Sequence, residues 1–241
     1  ILARALDHLG IYARSLKDVA MAGDVLMVRD PRDFDMRAHP NAGLLKALAG
    51  TDDSPLRLAF IKGPPWAFAE PYMDELFGAY IDGLGDIPEV TLGGIFDGAL
   101  EAQAIVMNAN VWMNLREYVD NHEDQLQVET VRRIVAGRDI LAADYIAARE
   151  LTDSLIAALD GLFEHYDALI TAAAPGEAPV GLESTGNAAF QRIWTLTGLP
   201  TMSLPLLKGP NGMPIGVQVI GKRGRDADLM RAVRWVEEKS I

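Results

Sequence analysis

Between residues 56 and 92 a short apolar run, a helical stretch and a second apolar run follow one another, and that order limits the fold more than any other feature. Leu56-Arg57-Leu58-Ala59-Phe60-Ile61 reads as a strand, stopped by Gly63-Pro64-Pro65. Pro71 suits a first helical turn. Tyr72, Leu76, Phe77, Tyr80, Ile81 and Leu84 then recur at helical spacing, with Gly85 as the C-terminal cap. Pro88-Glu89-Val90-Thr91-Leu92 reads as the next strand. Strand, helix, strand in that order builds parallel or mixed sheets covered by helices.

The rest of the chain is compatible with one such unit. Ser15 followed by Asp18 forms a rough capping box for a helix with Val19, Ala22, Gly23, Leu26 and Met27 on one face, ending at Arg29-Asp30-Pro31. Residues 31 to 55 read as loop with a short helix near Leu44 to Leu48. From Ile95 to Tyr166 the pattern is helical. Phe96, Leu100, Met107, Val111 and Leu115 carry one apolar face, a break falls at Gly137, and Tyr145, Leu155, Leu159 and Leu162 carry another. Ala168 to Thr171 is a buried strand candidate, followed by a loop over 172 to 186. A helix through Phe190, Ile193, Trp194 and Thr197 closes at Gly198. Two strands, Thr201 to Leu206 and Pro214 to Ile220, flank the turn Lys208-Gly209-Pro210-Asn211-Gly212. An amphipathic helix from Asp226 to Glu238 turns Leu229, Met230, Val233 and Val236 inward. The expected fold is α/β, with a mixed β-sheet core covered by helices.

Composition excludes several function classes. With no cysteine among 241 residues, disulfides, thiolate nucleophiles and cysteine-ligated zinc are ruled out. That suits a reducing compartment, and a cytoplasmic protein is expected. A net charge of -12 repels phosphate backbones, so no nucleic-acid partner is expected. No apolar run is long enough to span a bilayer, so no membrane partner is expected either. The N-terminus lacks the order of a signal peptide. The first residue is Ile1 rather than methionine, and the expectation is a chain that is truncated, processed or incompletely represented.

The chemistry-bearing residues form no local active-site motif. The six serines are Ser15, Ser54, Ser154, Ser184, Ser203 and Ser240, and none sits in a glycine-flanked nucleophile elbow. Ser15 reads as a helix cap, Ser154 as a helix-interior residue and Ser203 as strand packing. His8, His39, His122 and His165 show no zinc spacing, so no metal is expected. Acidic pairs such as Asp52-Asp53 and Glu237-Glu238 read as solvated surface. No P-loop or dinucleotide fingerprint occurs, and no cofactor is expected.

Four stretches resemble the amidase-signature family. Leu6 to Asp18 is similar to its S-L-D-x-x-G-P-x-A-R-S-x-x-D segment, with Ala5 where serine is usual and Ile11-Tyr12 at the usual proline-pair position. Ala168-Leu169-Ile170-Thr171-Ala172-Ala173-Ala174-Pro175-Gly176-Glu177-Ala178-Pro179 is similar to D-A-L-L-T-P-A-A-P-G-E-A-P, with Ala172 for the first proline. The third stretch runs from Ser184 to Thr195 and on through Gly198 to Pro205. The fourth is Gly212-Met213-Pro214-Ile215-Gly216-Val217-Gln218-Val219-Ile220-Gly221. The last two are the most specific, although glycine and alternating apolar residues there also shape turns and fill a sheet face. The resemblance spans essentially the whole chain and is weakest from 31 to 135.

The resemblance implies an amidase-signature fold, of which residues 1–241 are the C-terminal portion of a single domain. It also implies hydrolysis of a C–N amide bond of a small-molecule amide. The family's serine nucleophile, second serine in a cis peptide and lysine base come from a segment preceding the S-L-D stretch. No residue of this chain is therefore assigned a catalytic role, and the chain alone is expected to be inactive. It implies instead a pocket wall built from Trp66, Thr171, Gln191, Trp194 and Thr195, and a supporting role for Asp7 under the catalytic loop. Two other readings stand beside it. One is a non-catalytic subunit that pairs with a separate N-terminal chain, or self-associates, through an exposed sheet edge. The other is a small-ligand binding domain using Trp66 and Trp194.

Overall fold

A computed structural model describes residues 1–33, 36, 43–51 and 54–240. His39 and the Asp52-Asp53 pair lie outside the described residues.

The chain begins with an irregular segment and α1 (Leu16–Leu26). The Ser15 hydroxyl caps α1 by accepting the Asp18 N–H, and it donates to the Asp18 carboxylate at 2.8 Å. α1 buries Leu16, Ala20 and the expected Gly23, and of the other expected residues Met27 packs against the core while Leu26 is exposed. The short α2 (Leu44–Leu48) decides that register. Its Leu44 side chain fills the space above Gly23, and Asp24 receives the N–H groups of Leu44 and Leu45.

β1 (Leu58–Lys62), α3 (Met73–Leu84) and β2 (Glu89–Thr91) form the expected strand–helix–strand unit, with β1 and β2 parallel. Gly85 ends α3 at φ +117°, a conformation that a side chain would oppose. The helical layer follows: α4 (Ala99–His122), α5 (Val128–Val135) and α6 (Ala142–Leu162). α4 buries Ala99, Ala102, Gln103, Val106 and the expected Val111, with the expected Leu100 and Met107 half-buried against the core. At Gly137 the backbone rests directly on the Asn108 carbonyl, so no Cβ fits there.

β3 (Ala168–Ala172), α7 (Ala189–Thr197), β4 (Thr201–Lys208), β5 (Pro214–Ile220) and α8 (Asp226–Ser240) complete the chain. The sheet order is β2-β1-β3-β5-β4. β3 runs parallel to β1 and antiparallel to β5, and β4 and β5 form an antiparallel hairpin. The sheet is thus mixed, as expected. β1 and β3 are buried on both faces, which explains their unbroken apolar runs. Leu58, Phe60, Ile170, Val217 and Val219 pack on one face with α1, α2, α3 and α8. Ala59, Ile61, Leu169 and Ile220 pack on the other with α4, α6 and α7. β4 pairs only with β5 among the described residues, shifts register between Leu204 and Leu207, and tolerates Pro205 there.

Candidate functional site

The carboxyl ends of β1 and β3 lie side by side, and the segments leaving them converge there. Gly63 leaves β1 with an ideal Cβ position only 3.1 Å from the Leu92 Cβ, so glycine suits this approach. Pro64 and Pro65 open a 3-10 turn, Pro64–Phe68, because a fixed φ near the helical value fits its first positions. The turn places Trp66 edge-on to Phe60, Phe77 and Phe190, at centroid distances of 5.8, 5.6 and 5.3 Å. From the neighbouring strand, the buried Thr171 hydroxyl donates to the Ile61 carbonyl at 2.9 Å. α7 contributes Phe190, Ile193 and Trp194, the last only 4% exposed.

These groups line a narrow cavity of about 10 Å³, room for one water molecule, with Trp66, Thr171, Phe190 and Trp194 on its walls. The indole N–H groups of Trp66 and Trp194 are buried without a hydrogen-bond acceptor. A buried donor costs desolvation unless an acceptor meets it, so these N–H groups favour an acceptor in the cavity.

At the rim, Lys62 pairs with Asp74 at 2.9 Å and Glu89 at 3.3 Å, and stands 5.6 Å from the Trp66 ring centroid. Burial pushes its ammonium pKa down, and the bonds to Asp74 and Glu89 more than reverse this, leaving it above the usual lysine value. Lys62 stays charged and committed to these partners.

A family model described as Amidase matches residues 2–230 of this chain. The chain belongs to the amidase family. A glutamyl-tRNA(Gln) amidotransferase protein of Agathobacter rectalis is 26% identical over 268 residues, covering 97% of this chain and 53% of that protein. A solved structure of a vestigial protein complex bearing on the origins of an s-triazine catabolic enzyme matches with a TM-score of 0.87 at 22% identity. It covers 100% of this chain and 55% of its own. A glutamyl-tRNA(Gln) amidotransferase structure from Thermotoga maritima matches with a TM-score of 0.71 at 23% identity, covering 95% and 52%. The amidase chain thus spans about half the length of the curated relatives it matches. The solved structures establish a shared fold.

Within this amidase frame, Trp66, Thr171 and Trp194 meet at one cavity. The other expected residues sit elsewhere. The Gln191 amide donates to the Ala173 carbonyl at 2.6 Å and so holds the exit of β3. Thr195 is half-buried on α7 and does not line the cavity. Asp7 is exposed and accepts the N–H groups of Leu2 and Ala3, closing the first turn of the chain. Among the described residues no cluster of His, Cys, Asp and Glu could hold a metal, and no helix is long and apolar enough to cross a membrane.

Three residues escaped the sequence reading as site builders. Gln218 is 1% exposed, and its amide reaches the carbonyls of Ala172 and Phe190 at 3.4 and 3.3 Å. Its signal was a polar side chain at an inward position of an apolar strand. Tyr72 and Glu177 fasten the loop after β3, through the Tyr72 hydroxyl and the Glu177 carboxylate. Glu177 stood in the Pro175-Gly176-Glu177 motif without an assigned task.

Proposed function

We propose that this chain forms the acyl-pocket side of an amidase that hydrolyses the C–N bond of a small amide. One observation supports this most: Trp66, Thr171 and Trp194, expected at the pocket from resemblance, line one cavity at the carboxyl ends of β1 and β3. Crevices at strand carboxyl ends are where open α/β sheets receive ligands. Phe190 and Pro65 add an apolar wall for an acyl group.

Amide hydrolysis needs a hydroxyl with a neighbouring base, and aimed N–H donors for the oxyanion. Three of the chain's six serines have other tasks. Ser15 caps α1, Ser154 donates to the Glu150 carbonyl, and Ser240 donates to the Val236 carbonyl. By resemblance, we assign the nucleophile, the bridging serine and the lysine to the serine- and glycine-rich segment that the family places before the stretch matching Leu6 to Asp18. Residues 1–241 then form the C-terminal portion of one domain.

The test joins such a segment to residues 1–241 and follows ammonia release from simple aliphatic and aryl amides. Turnover is expected from the joined polypeptide, with Trp194→Ala raising KM. Equal turnover by residues 1–241 alone would overturn the assignment of the nucleophile.

A second reading, a non-catalytic subunit, draws on the edge of β4, unpaired among the described residues, and on Leu9 and Tyr12, which are 75% and 99% exposed. Such surface favours pairing with a separate chain or a second copy. Light scattering that gives a monodisperse monomer, with no uptake of an apolar dye, would eliminate it.

A further inference from the structure

We propose that Glu177 is a positioning residue that sets the loop after β3 beside the pocket by docking it onto the β4–β5 turn; the role beside a pocket rests on the functional reading above. The Glu177 carboxylate collects three donors. One oxygen, Oε1, accepts the backbone N–H of Asn211 at 3.0 Å and of Met213 at 2.9 Å. The other, Oε2, accepts from the Asn211 side-chain amide at 2.7 Å.

The turn is built to offer those donors. Gly212 takes φ +80°, and a Cβ on Gly209 would overlap the Glu177 carboxylate. Only glycine lets the carboxylate settle so closely on the turn.

The same loop is tied on its opposite side. The Tyr72 hydroxyl accepts the Glu177 N–H at 2.9 Å, and the Pro175 carbonyl accepts the Glu70 N–H at 2.8 Å. Gly176 fits between them, since a Cβ there would lie 2.6 Å from both the Tyr72 hydroxyl oxygen and Glu70 Cγ. Residues 175 to 177 are thus strung between the segment that follows Trp66 and the β4–β5 hairpin. Beyond them Val180 and Leu182 are fully exposed. Glu177 is therefore an anchor point between the pocket end of the loop and its exposed stretch.

The carboxylate form is specific to the task. Both of its oxygens are engaged, whereas a glutamine has one acceptor oxygen for three donors and keeps the third bond only if the Asn211 amide turns its own oxygen inward. Burial, the largest influence, raises the Glu177 pKa, yet the bonds from Asn211 and Met213 together leave it below the usual glutamate value.

The experiment compares Glu177→Gln, Asn211→Asp and the double variant in the 241-residue chain. Three readouts are taken: amide hydrogen exchange at Asn211 and Met213, thermolysin cleavage near Val180 and Leu182, and benzamide binding followed by tryptophan fluorescence. Each single variant is expected to raise local exchange and cleavage by about fivefold or more, because loss of an anchor increases the locally open population. The double variant restores an amide–carboxylate pair with the roles exchanged and is expected to return both towards wild type. Benzamide affinity should fall and recover in parallel.

Unchanged exchange and cleavage in Glu177→Gln, or no recovery in the double variant, overturns the proposal. So does an opened loop with unchanged benzamide affinity. If the 241-residue chain binds no benzamide, the affinities are compared in the joined polypeptide, and the latch in the chain itself is decided by exchange and cleavage. Should Glu177→Gln fail to fold, Gly209→Ala displaces the carboxylate while keeping both polar partners, and the same loop opening is required of it.

Discussion

The two ends of β1 and β3 are built from the same strands and differ in almost everything else. At the carboxyl end, Trp66, Phe190 and Trp194 close around a cavity of about 10 Å³. At the amino end lies an open groove of about 400 Å³, lined by Arg57, Asp86, His165, Tyr166 and Trp235. The larger space is the less constructed one. Polar side chains at the carboxyl end reach inward to backbone carbonyls: Thr171 to Ile61, Gln191 to Ala173, Gln218 to Ala172 and Phe190. Those at the amino end are more exposed: Arg57, more than half exposed, pairs with Asp167 at 2.8 Å and donates to the Glu164 carbonyl at 3.2 Å. Volume therefore does not mark the proposed pocket. Loops that converge on strand ends and are held by buried bonds mark it.

The sharpest way to break this comparison is to truncate one tryptophan at each end. Trp194→Ala empties a fully packed position and should lower unfolding free energy by about 3–5 kcal/mol. Trp235→Ala removes a half-buried ring beside the open groove, and the smaller area involved limits its loss to about 2 kcal/mol or less. Urea unfolding of both variants decides it, and equal losses would dissolve the distinction. Trp194→Phe adds a finer test. It deletes a buried indole N–H that has no acceptor, so part of its packing loss is offset, and it should cost much less than the alanine.

Gln218→Leu is the next largest effect. It leaves the Ala172 and Phe190 carbonyls without the amide they share, a loss of about 1–3 kcal/mol for buried groups left unpaired. Hydrogen exchange localises the change. Amides of 172 to 177 should lose protection, while Arg57 and Asp167, whose N–H groups bond across the other end, should keep theirs. Loosening of both ends together would mean that the sheet transmits the change and that the ends are not independent.

How much of this was legible in the sequence follows from the range of the interactions involved. Elements set by local patterns were readable. The Ser15–Asp18 cap, Gly85 and Gly198 as helix ends, and the inward face of α8 all depend on residues within a turn or two of one another. Which stripe of α1 and α4 is buried was readable only in part, because Leu44 and α6 bear on it from far along the chain. At the site the same division holds. Thr171 and Trp194 lie in stretches that resemble a family, while Trp66 was named for its place beside Pro64-Pro65. Gln191 was named for the pocket wall, and its amide is engaged with a backbone carbonyl 18 positions away. Gln218 and Glu177 act on partners 28 to 46 positions distant, and no local spacing announces such a bond.

The smallest predicted effect belongs to the amino end and depends on pH. Hydrogen bonding from Arg57 is the largest influence on Asp167 and lowers its pKa. Burial opposes this, and a further bond and the charges of Arg57 and Arg231 add to the lowering. A carboxyl group held below its unfolded value of about 3.9 contributes stability above that pH and loses it as pH falls through the folded value. Asp167→Asn should therefore cost under about 1 kcal/mol at neutral pH, since the pair is largely exposed. The gap between wild type and variant should close as pH drops below about 4, and should narrow in about 1 M salt through screening. Chemical denaturation across pH 2 to 7 measures it. A gap that persists at low pH would mean Asp167 acts as a neutral hydrogen-bond acceptor for the Arg57 N–H rather than as an ion.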